Sequence, residues 1–362
     1  MSRSRENFLR NRQKIETRFR RLFNDNSKNK FVIMNPNKIA VGGSFTAVIT
    51  SENRVVCWGN TRNRKYNAPA DLENVVAICC GTSHCVALTA EGQVVCWGSN
   101  AEGQCDVPAG LENVVQIGCS YFYNAALTAD GRVICWGNNE RGQCNVPEDL
   151  PRITFIDLEG DFVAALTADK RVVCWGNNER GQCNVPVNVE NVVAISCGIY
   201  HTAALTADGR VICWGSNLEG QCEVPAGLEN VVSISCGDMH TAALTETSQA
   251  FCWGFCCDFD DDIIQVDGVA GICSGYDFTV AVLLDGTAVF CIEGGPANRI
   301  NAPEKLENVV SISLKQRTSR GQHIAAIMSD GSVCCWSDGQ TDRGQCNVPA
   351  GLVAWTPYVI LM

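Results

Sequence analysis

The chain has 362 residues, 46% of them hydrophobic, and a formal net charge of −11 at pH 7. That length and apolar content supply an ample core, while no apolar run approaches the roughly 20 residues a membrane-crossing helix requires. The first 30 residues are charged throughout, which reads against a secretory leader, so the expected location is intracellular, cytoplasmic or nuclear.

Residues 1–36 form the first segment, a basic arm. Its first 30 residues carry ten Lys or Arg against three acidic residues, about +7, whereas the remainder, with 18 basic and 36 acidic, carries −18. Phe8, Ile15, Phe19, Leu22 and Phe23 fall close to one helical face, with Arg10, Arg18, Arg20 and Arg21 around them. The expectation is a helix that docks on an acidic protein surface, its own or foreign. Nucleic acid, an anionic membrane and a ligand-free strap are the alternatives.

After residue 36 the chain is periodic. Trp58, Trp97, Trp136, Trp175, Trp214 and Trp253 stand 39 residues apart, Ile292 takes the next beat, and Trp336 follows after 44. Copies begin near Asn37, Asn74, Asn113, Arg152, Asn191, Asn230, Gly268 and Asn308. Such a period marks units that bury their faces on one another. Each copy holds three short runs rich in β-branched residues, such as VVAIS, TAALT and RVICW, bounded by Gly, Asn, Asp and Pro. That pattern predicts strands. Ala-Asp-Gly, as at residues 129–131 and 207–209, joins the second and third runs as a tight hairpin. GQCNVP carries a proline and reads as an edge strand or a crossover to the next copy.

Identical meanders cover both faces when they close into a ring. The fold class is therefore all-β, a β-propeller of seven or eight blades over residues 37–352, preceded by the basic helix. An open solenoid is the rival. Residues 353–362 form an apolar tail that begins like a ninth first strand, able to complete a blade with the amino-terminal copy.

The text SCGxxHTAALTADGRVxCWGxNxxGQ, around His201 and His240 and partly around His84, resembles the repeats of the regulator of chromosome condensation family of propellers. The short unit is similar to that of the bacterial propeller that inhibits β-lactamases and to propellers of large DNA viruses. The resemblance implies a propeller and, from the founding member, exchange-factor action on a small nuclear GTPase and docking on nucleosomes. That member's wedge-like insertion has no evident counterpart, since the extra residues around Lys315 to Arg320 are few. The aromatic Gly-Trp-Arg-His-Thr motif of the family's plant photoreceptor is absent.

The 23 cysteines repeat with the copies. One set precedes the tryptophan beat (Cys57, Cys96, Cys135, Cys174, Cys213, Cys252, Cys291 and Cys335). A second lies in GQC (Cys105, Cys144, Cys183, Cys222 and Cys346), and a third ends the first strand (Cys80, Cys119, Cys197, Cys236 and Cys273). Equivalent positions on neighbouring blades are expected to stand beyond disulfide reach, so these read as small buried hydrophobes. Cys252, Cys256 and Cys257 beside Asp258 and Asp260 to Asp262 are a cluster able to hold a metal, but their spacing is not a recognised zinc pattern, and the expectation is no metal and no other cofactor. His84, His201, His240 and His323 share one slot, which is the mark of a repeated hydrogen-bonding scheme, not of a catalytic base. Nucleophile elbows, Walker loops and zinc-protease motifs are missing, so an enzyme and a small-molecule substrate are not expected.

Function then falls to surfaces. The loop after the first strand and the loop after the tryptophan strand emerge on one face, and copies differ most there. Tyr121, Phe122, Tyr123, Phe162, Tyr200, Met239, Tyr276 and Phe278 supply candidate partner contacts; capping of blade ends is the alternative. The acidic run with Asp260 and Asp261, and the basic insertion with Lys315, Arg317 and Arg320, are expected on the same face. The leading reading is a non-enzymatic interaction or assembly scaffold. Its specific form is a virion or host-factor-binding protein, because closely similar copies fit repeat expansion of the kind seen in large viral genomes. The alternative is a regulator of a small GTPase or of chromatin.

Overall fold

A computed structural model of the protein describes residues 38–60, 66–255, 263–276, 278–291, 306–314, 323–337 and 343–356. The basic arm with Phe8, Arg10, Ile15, Arg18, Phe19, Arg20 and Phe23 lies outside those residues, as do Asp260, Asp261, Lys315, Arg317 and Arg320.

Strands of three to seven residues form eight antiparallel sheets, one per copy. The first four comprise Ile39–Val41, Phe45–Ile49 and Val55–Gly59; Val75–Cys80, His84–Thr89 and Val94–Gly98; Val114–Cys119, Tyr123–Thr128 and Val133–Gly137; and Ile153–Glu159, Phe162–Thr167 and Val172–Gly176. The fifth and sixth are Val192–Cys197, His201–Thr206 and Val211–Gly215, then Val231–Cys236, His240–Thr245 and Gln249–Gly254 with a fourth strand, Ile263–Asp267. Val269–Ser274, Thr279–Leu283 and Ala288–Cys291 make the seventh; Val309–Leu314, His323–Met328 and Val333–Ser337 make the eighth. First strands of successive sheets adjoin one another, and that of the first sheet adjoins that of the eighth. The ring is closed with eight blades, and the first strands lie innermost.

Local chemistry explains the punctuation. Most inner strands are entered from an asparagine in the left-handed region, with Asn74, Asn113, Asn191, Asn230 and Asn308 at φ of 55° to 58°, a conformation its short amide tolerates. GQCNVP is a crossover and forms no strand; among the described residues, blade six, which lacks that motif, is the one sheet with a fourth strand. In blade seven Thr279 pairs with Cys291, as Thr241 pairs with Trp253. Cys291 thus takes the tryptophan register that the spacing assigned to Ile292, because this copy is one residue shorter.

The core is divided among the junctions. Each neighbouring pair of blades encloses its own apolar cluster, such as Leu205, Val211, Val231, Ala243 and Trp253 between blades five and six. Alternation along a strand turns successive side chains toward opposite neighbours, so the six-residue middle strands of blades two to six are buried along their whole length.

Three of the described junctions carry the same complete polar device. At the join of blades five and six, the Gln221 carbonyl accepts the Trp253 indole N–H at 3.1 Å and the Thr241 hydroxyl at 2.9 Å. The Thr241 proton being committed there, its oxygen accepts from His201 Nε2 at 3.0 Å, which fixes that ring as the Nε2–H tautomer. The Gln104 carbonyl takes Trp136 and Asn124, and Asn124 Oδ1 accepts from His84 at 2.6 Å. At the closing seam the Gln345 carbonyl takes Trp58 and Thr46, the latter 3.0 Å from His323. The seam is finished by Ala354, which bridges to Thr50 in the rung that Val75 makes with Thr89 in blade two. Ala354 therefore adds that rung to blade one.

Two expectations need correction. Tyr123, Phe162 and Phe278 occupy the histidine slot and are at most 2% exposed, so they are junction side chains and not partner contacts. The second concerns cysteine. Cys79 and Cys119 are joined as a disulfide across blades two and three, their Cα atoms 5.9 Å apart and their positions separated by 40 residues. Cysteines at equivalent positions, 39 apart, are not joined; strand alternation points Cys79 forward and Cys119 back, so these two, one step out of register, meet. Elsewhere the thiols pack at the junctions, and those of the connectors donate to backbone carbonyls, Cys144 Sγ to Asn138 at 3.3 Å and Cys183 Sγ to Asn177 at 3.2 Å. Burial pushes Cys174 and Cys213 well up, and Cys144 and Cys183 to about 11.

Thr202 faces Phe162 where Thr241 faces a histidine, and the Gln182 carbonyl that Thr202 contacts keeps Trp214 as a donor. Thr241→Val, which leaves the buried His201 N–H without its acceptor, should cost about 1–3 kcal/mol in urea unfolding, and Thr202→Val about 1 kcal/mol or less. Equal losses would refute the directional chain from histidine to threonine to carbonyl.

Candidate functional site

The two loops at the end of each inner and outer strand do share one face, and backbone hydrogen bonds tie them together. Asn138 N donates to the Phe122 carbonyl at 3.0 Å, Asn177 N to Asp161 at 2.8 Å, Ser216 N to Tyr200 at 2.8 Å and Phe255 N to Met239 at 2.9 Å. Below them the aromatic slot demands room. A Cβ on Gly237 would sit 2.0 Å from His240 Cε1, which is why glycine stands three residues before that histidine. The connectors are equally fixed, since Asn139 Oδ1 receives the Cys144 amide and Gln143 Oε1 the Arg141 amide.

On this rigid base the side chains divide. Phe122 is 44% and Tyr200 40% exposed, while Met239, Tyr276 and Tyr121 are half-buried. Tyr121 packs at a tilt against Phe122, ring centroids 6.4 Å apart. Burial, and then the neighbouring Glu159 and Asp238 carboxylates, with Tyr200 and Asp161 beyond them, hold its hydroxyl well above the usual phenol range. Asp161 is itself raised by burial, against the opposing pull of Arg141. Blades three to six therefore present aromatic rings set among carboxylates.

Two apolar residues of this face were not singled out from sequence. Leu218 is 74% and Phe255 52% exposed. Leu218 stands where the connectors of blades three and four carry Glu140 and Glu179, and that exchange of a charge for an exposed leucine was the available signal. With Tyr200 and Met239 they make the loop face of blades five and six an apolar patch among the described residues. Among the described residues no cluster of His, Cys, Asp or Glu is arranged to hold a metal ion, and no helix is long and apolar enough to cross a membrane. The histidines are spent on junctions.

Six stretches of the chain, residues 37–65, 75–104, 114–143, 160–182, 192–221 and 231–255, match the family profile described as Regulator of chromosome condensation (RCC1) repeat. No curated protein sequence matches the chain. Among solved structures, Prp20p from Saccharomyces cerevisiae is similar with a TM-score of 0.54 at 19% identity, over 72% of this chain and 83% of that one. The ectodomain of the receptor kinase CR4 from Physcomitrella patens gives 0.54 at 25% identity, over 70% and 72%. Human WBSCR16 gives 0.53 at 22%, over 68% and 86%.

The buried histidines give the fold a defined acid limit. Burial pushes His201 down to about 4 and His240 to about 3, whereas in the unfolded chain each titrates near 6.5. The unfolded state therefore gains protons first as pH falls, and stability is full above pH 6.5 and lost toward pH 4. Asp157, raised by burial to about 6, acts in the opposite sense and offsets part of the loss. Each histidine should remove about 2 kcal/mol between pH 7 and pH 5. Urea midpoints across that range would show it, and a His201→Gln, His240→Gln double variant should flatten the slope.

Proposed function

The chain belongs to the regulator of chromosome condensation (RCC1) repeat family, and from that premise we propose that it is a non-enzymatic protein-interaction scaffold whose partner seats on the loop face over blades five and six. The observation that carries this reading is the set of exposed apolar side chains, Tyr200, Leu218 and Phe255, on loops whose backbone is held by hydrogen bonds. A surface that is both apolar and already ordered loses little freedom on binding. Phe122 and Tyr121 extend it over blade three, and the Glu159 and Asp238 carboxylates near Tyr121 give it a negative character suited to a partner with basic groups at the rim.

The basic arm belongs to the same reading as an anchor. With about +7 on its first 30 residues it is suited to an acidic protein surface, and the −18 carried by the rest of the chain includes its own ring among the candidates. Asp260, Asp261, Lys315, Arg317 and Arg320 remain candidate contacts.

A second reading rests on the fold neighbours. Prp20p was characterised for its binding to Gsp1p and histones, and yeast RCC1 (Prp20) was solved bound to Kap60. An exchange-factor-like or chromatin-associated role is the form that reading takes here, and the acidic charge of the propeller disfavours direct contact with nucleic acid.

Cross-linking mass spectrometry on the native assembly separates the readings by naming the protein joined to this chain. A Tyr200→Ser, Phe255→Ser double variant should lower capture of that protein at least tenfold while leaving the thermal midpoint within about 2 °C, since both side chains are exposed. Unchanged capture would remove the face from consideration. Deleting residues 1–30 should leave the ring folded and weaken its anchoring; unchanged partner recovery would rule out the arm's role.

A further inference from the structure

The inner ring of the propeller is laced by a repeated contact in which a side chain of one blade receives a backbone N–H of the next. Asp157 accepts from Cys197 at 2.8 Å, Ser196 from Cys236 at 3.0 Å, Ser235 from Ser274 at 2.9 Å and Ser313 from Val41 at 3.3 Å. Between blades two and three the same slot holds Cys79, and the facing position is Cys119. Their Cα separation of 5.9 Å is within the ordinary range for a disulfide. Of the 23 cysteines, Cys79 and Cys119 are the one pair whose positions differ by 40, the spacing at which neighbouring blades meet.

Accessibility sets this pair apart from the thiols beside it. Cys79 and Cys119 are half-buried on the innermost strands. Cys80 and Cys85, only 3.4 Å apart, are 5% and 0% exposed within the junction of blades one and two. A small oxidant reaching the ring axis therefore meets the first pair before the second.

We propose that Cys79 and Cys119 are a reversible oxidation site of the propeller, a dithiol in the inner wall that a peroxide-class oxidant converts to a covalent clasp between blades two and three. One thiolate attacks the peroxide O–O bond, giving a sulfenic acid and, after proton transfer, water. The second sulfur displaces hydroxide from the sulfenic sulfur, forming the S–S bond and, with the released proton, a second water. Two thiols and one peroxide thus yield one disulfide and two waters, and thiol reductants return both cysteines to the reduced form. This site is independent of what binds on the loop face.

The test uses the full chain, purified under reductant and then treated with hydrogen peroxide. Alkylation followed by non-reducing chymotryptic digestion should show a Cys79–Cys119 linked peptide at least tenfold above any other cysteine pair. The thermal midpoint should rise on the order of 5 °C, because the bond closes a loop of about 40 residues in the unfolded chain, and dithiothreitol should reverse the rise. Cys79→Ser keeps the hydrogen-bonding slot in the form used by Ser196 and Ser235, so it should match the reduced protein and gain nothing from peroxide. Cys119→Val, which follows the precedent of Val41 in blade one, gives a second variant should the first not fold. Alkylation of both cysteines after peroxide, preferential linkage of Cys96 to Cys105, or a peroxide-induced rise that survives in either variant would each overturn the assignment.

Discussion

A single backbone carbonyl on each connector with a described acceptor does more to organise this ring than any side chain of the core. The Gln221 oxygen, fully enclosed, receives the indole of Trp253 and the hydroxyl of Thr241 from the following blade. A buried carbonyl left unmade would cost on the order of 1–3 kcal/mol. Both donors must therefore arrive together, and the connector cannot shift without losing them. The glutamine side chain serves the same end from the other side by accepting the Glu219 amide and holding the loop in shape. Tryptophan at the beat and glutamine in the connector are thus two halves of one contact, each defining where the next blade must stand.

That coupling explains which parts of the architecture could be read in advance. The strands, their hairpins and the shared face of two loops follow from residues acting within one copy, and the 39-residue beat exposes them. Contacts between copies follow a different interval, 40, as in His84 to Asn124, His201 to Thr241 and Cys79 to Cys119. The extra residue is the alternation of a strand, which turns a side chain and its successor toward opposite neighbours. Comparing equivalent positions in the copies therefore hid the cysteine pair. The same comparison hid the burial of Tyr123 and Phe162, which look like loop aromatics until the histidine slot is aligned to include phenylalanine and tyrosine. Blade seven misled for a simpler reason, since a one-residue deletion moved the tryptophan register from Ile292 to Cys291.

The candidate face was legible in location and only partly in content. Phe122 and Tyr200 were visible because aromatic residues in a loop stand out, and they are the exposed ones. Leu218 and Phe255 stand out only against the polar residues that other copies place there, and they add the apolar area that a partner would cover. A propeller separates these roles cleanly. Junction residues are committed to neighbours and repeat with little change, whereas loop residues on the same blades are free to diverge without cost to the ring.

The rung that Ala354 forms with Thr50 gives the molecule a direction in time. Trp58 finds its acceptor 287 residues downstream, in the last connector, so during synthesis the first blade waits as an incomplete sheet with an open edge while seven others are made behind it. The final connector then arrives with the carbonyl for Trp58 and Thr46 and the missing rung together, and the edge is sealed in one event. A break in translation anywhere before that point leaves an array whose two end blades expose the apolar faces that the closing junction covers, a surface the closed ring does not display.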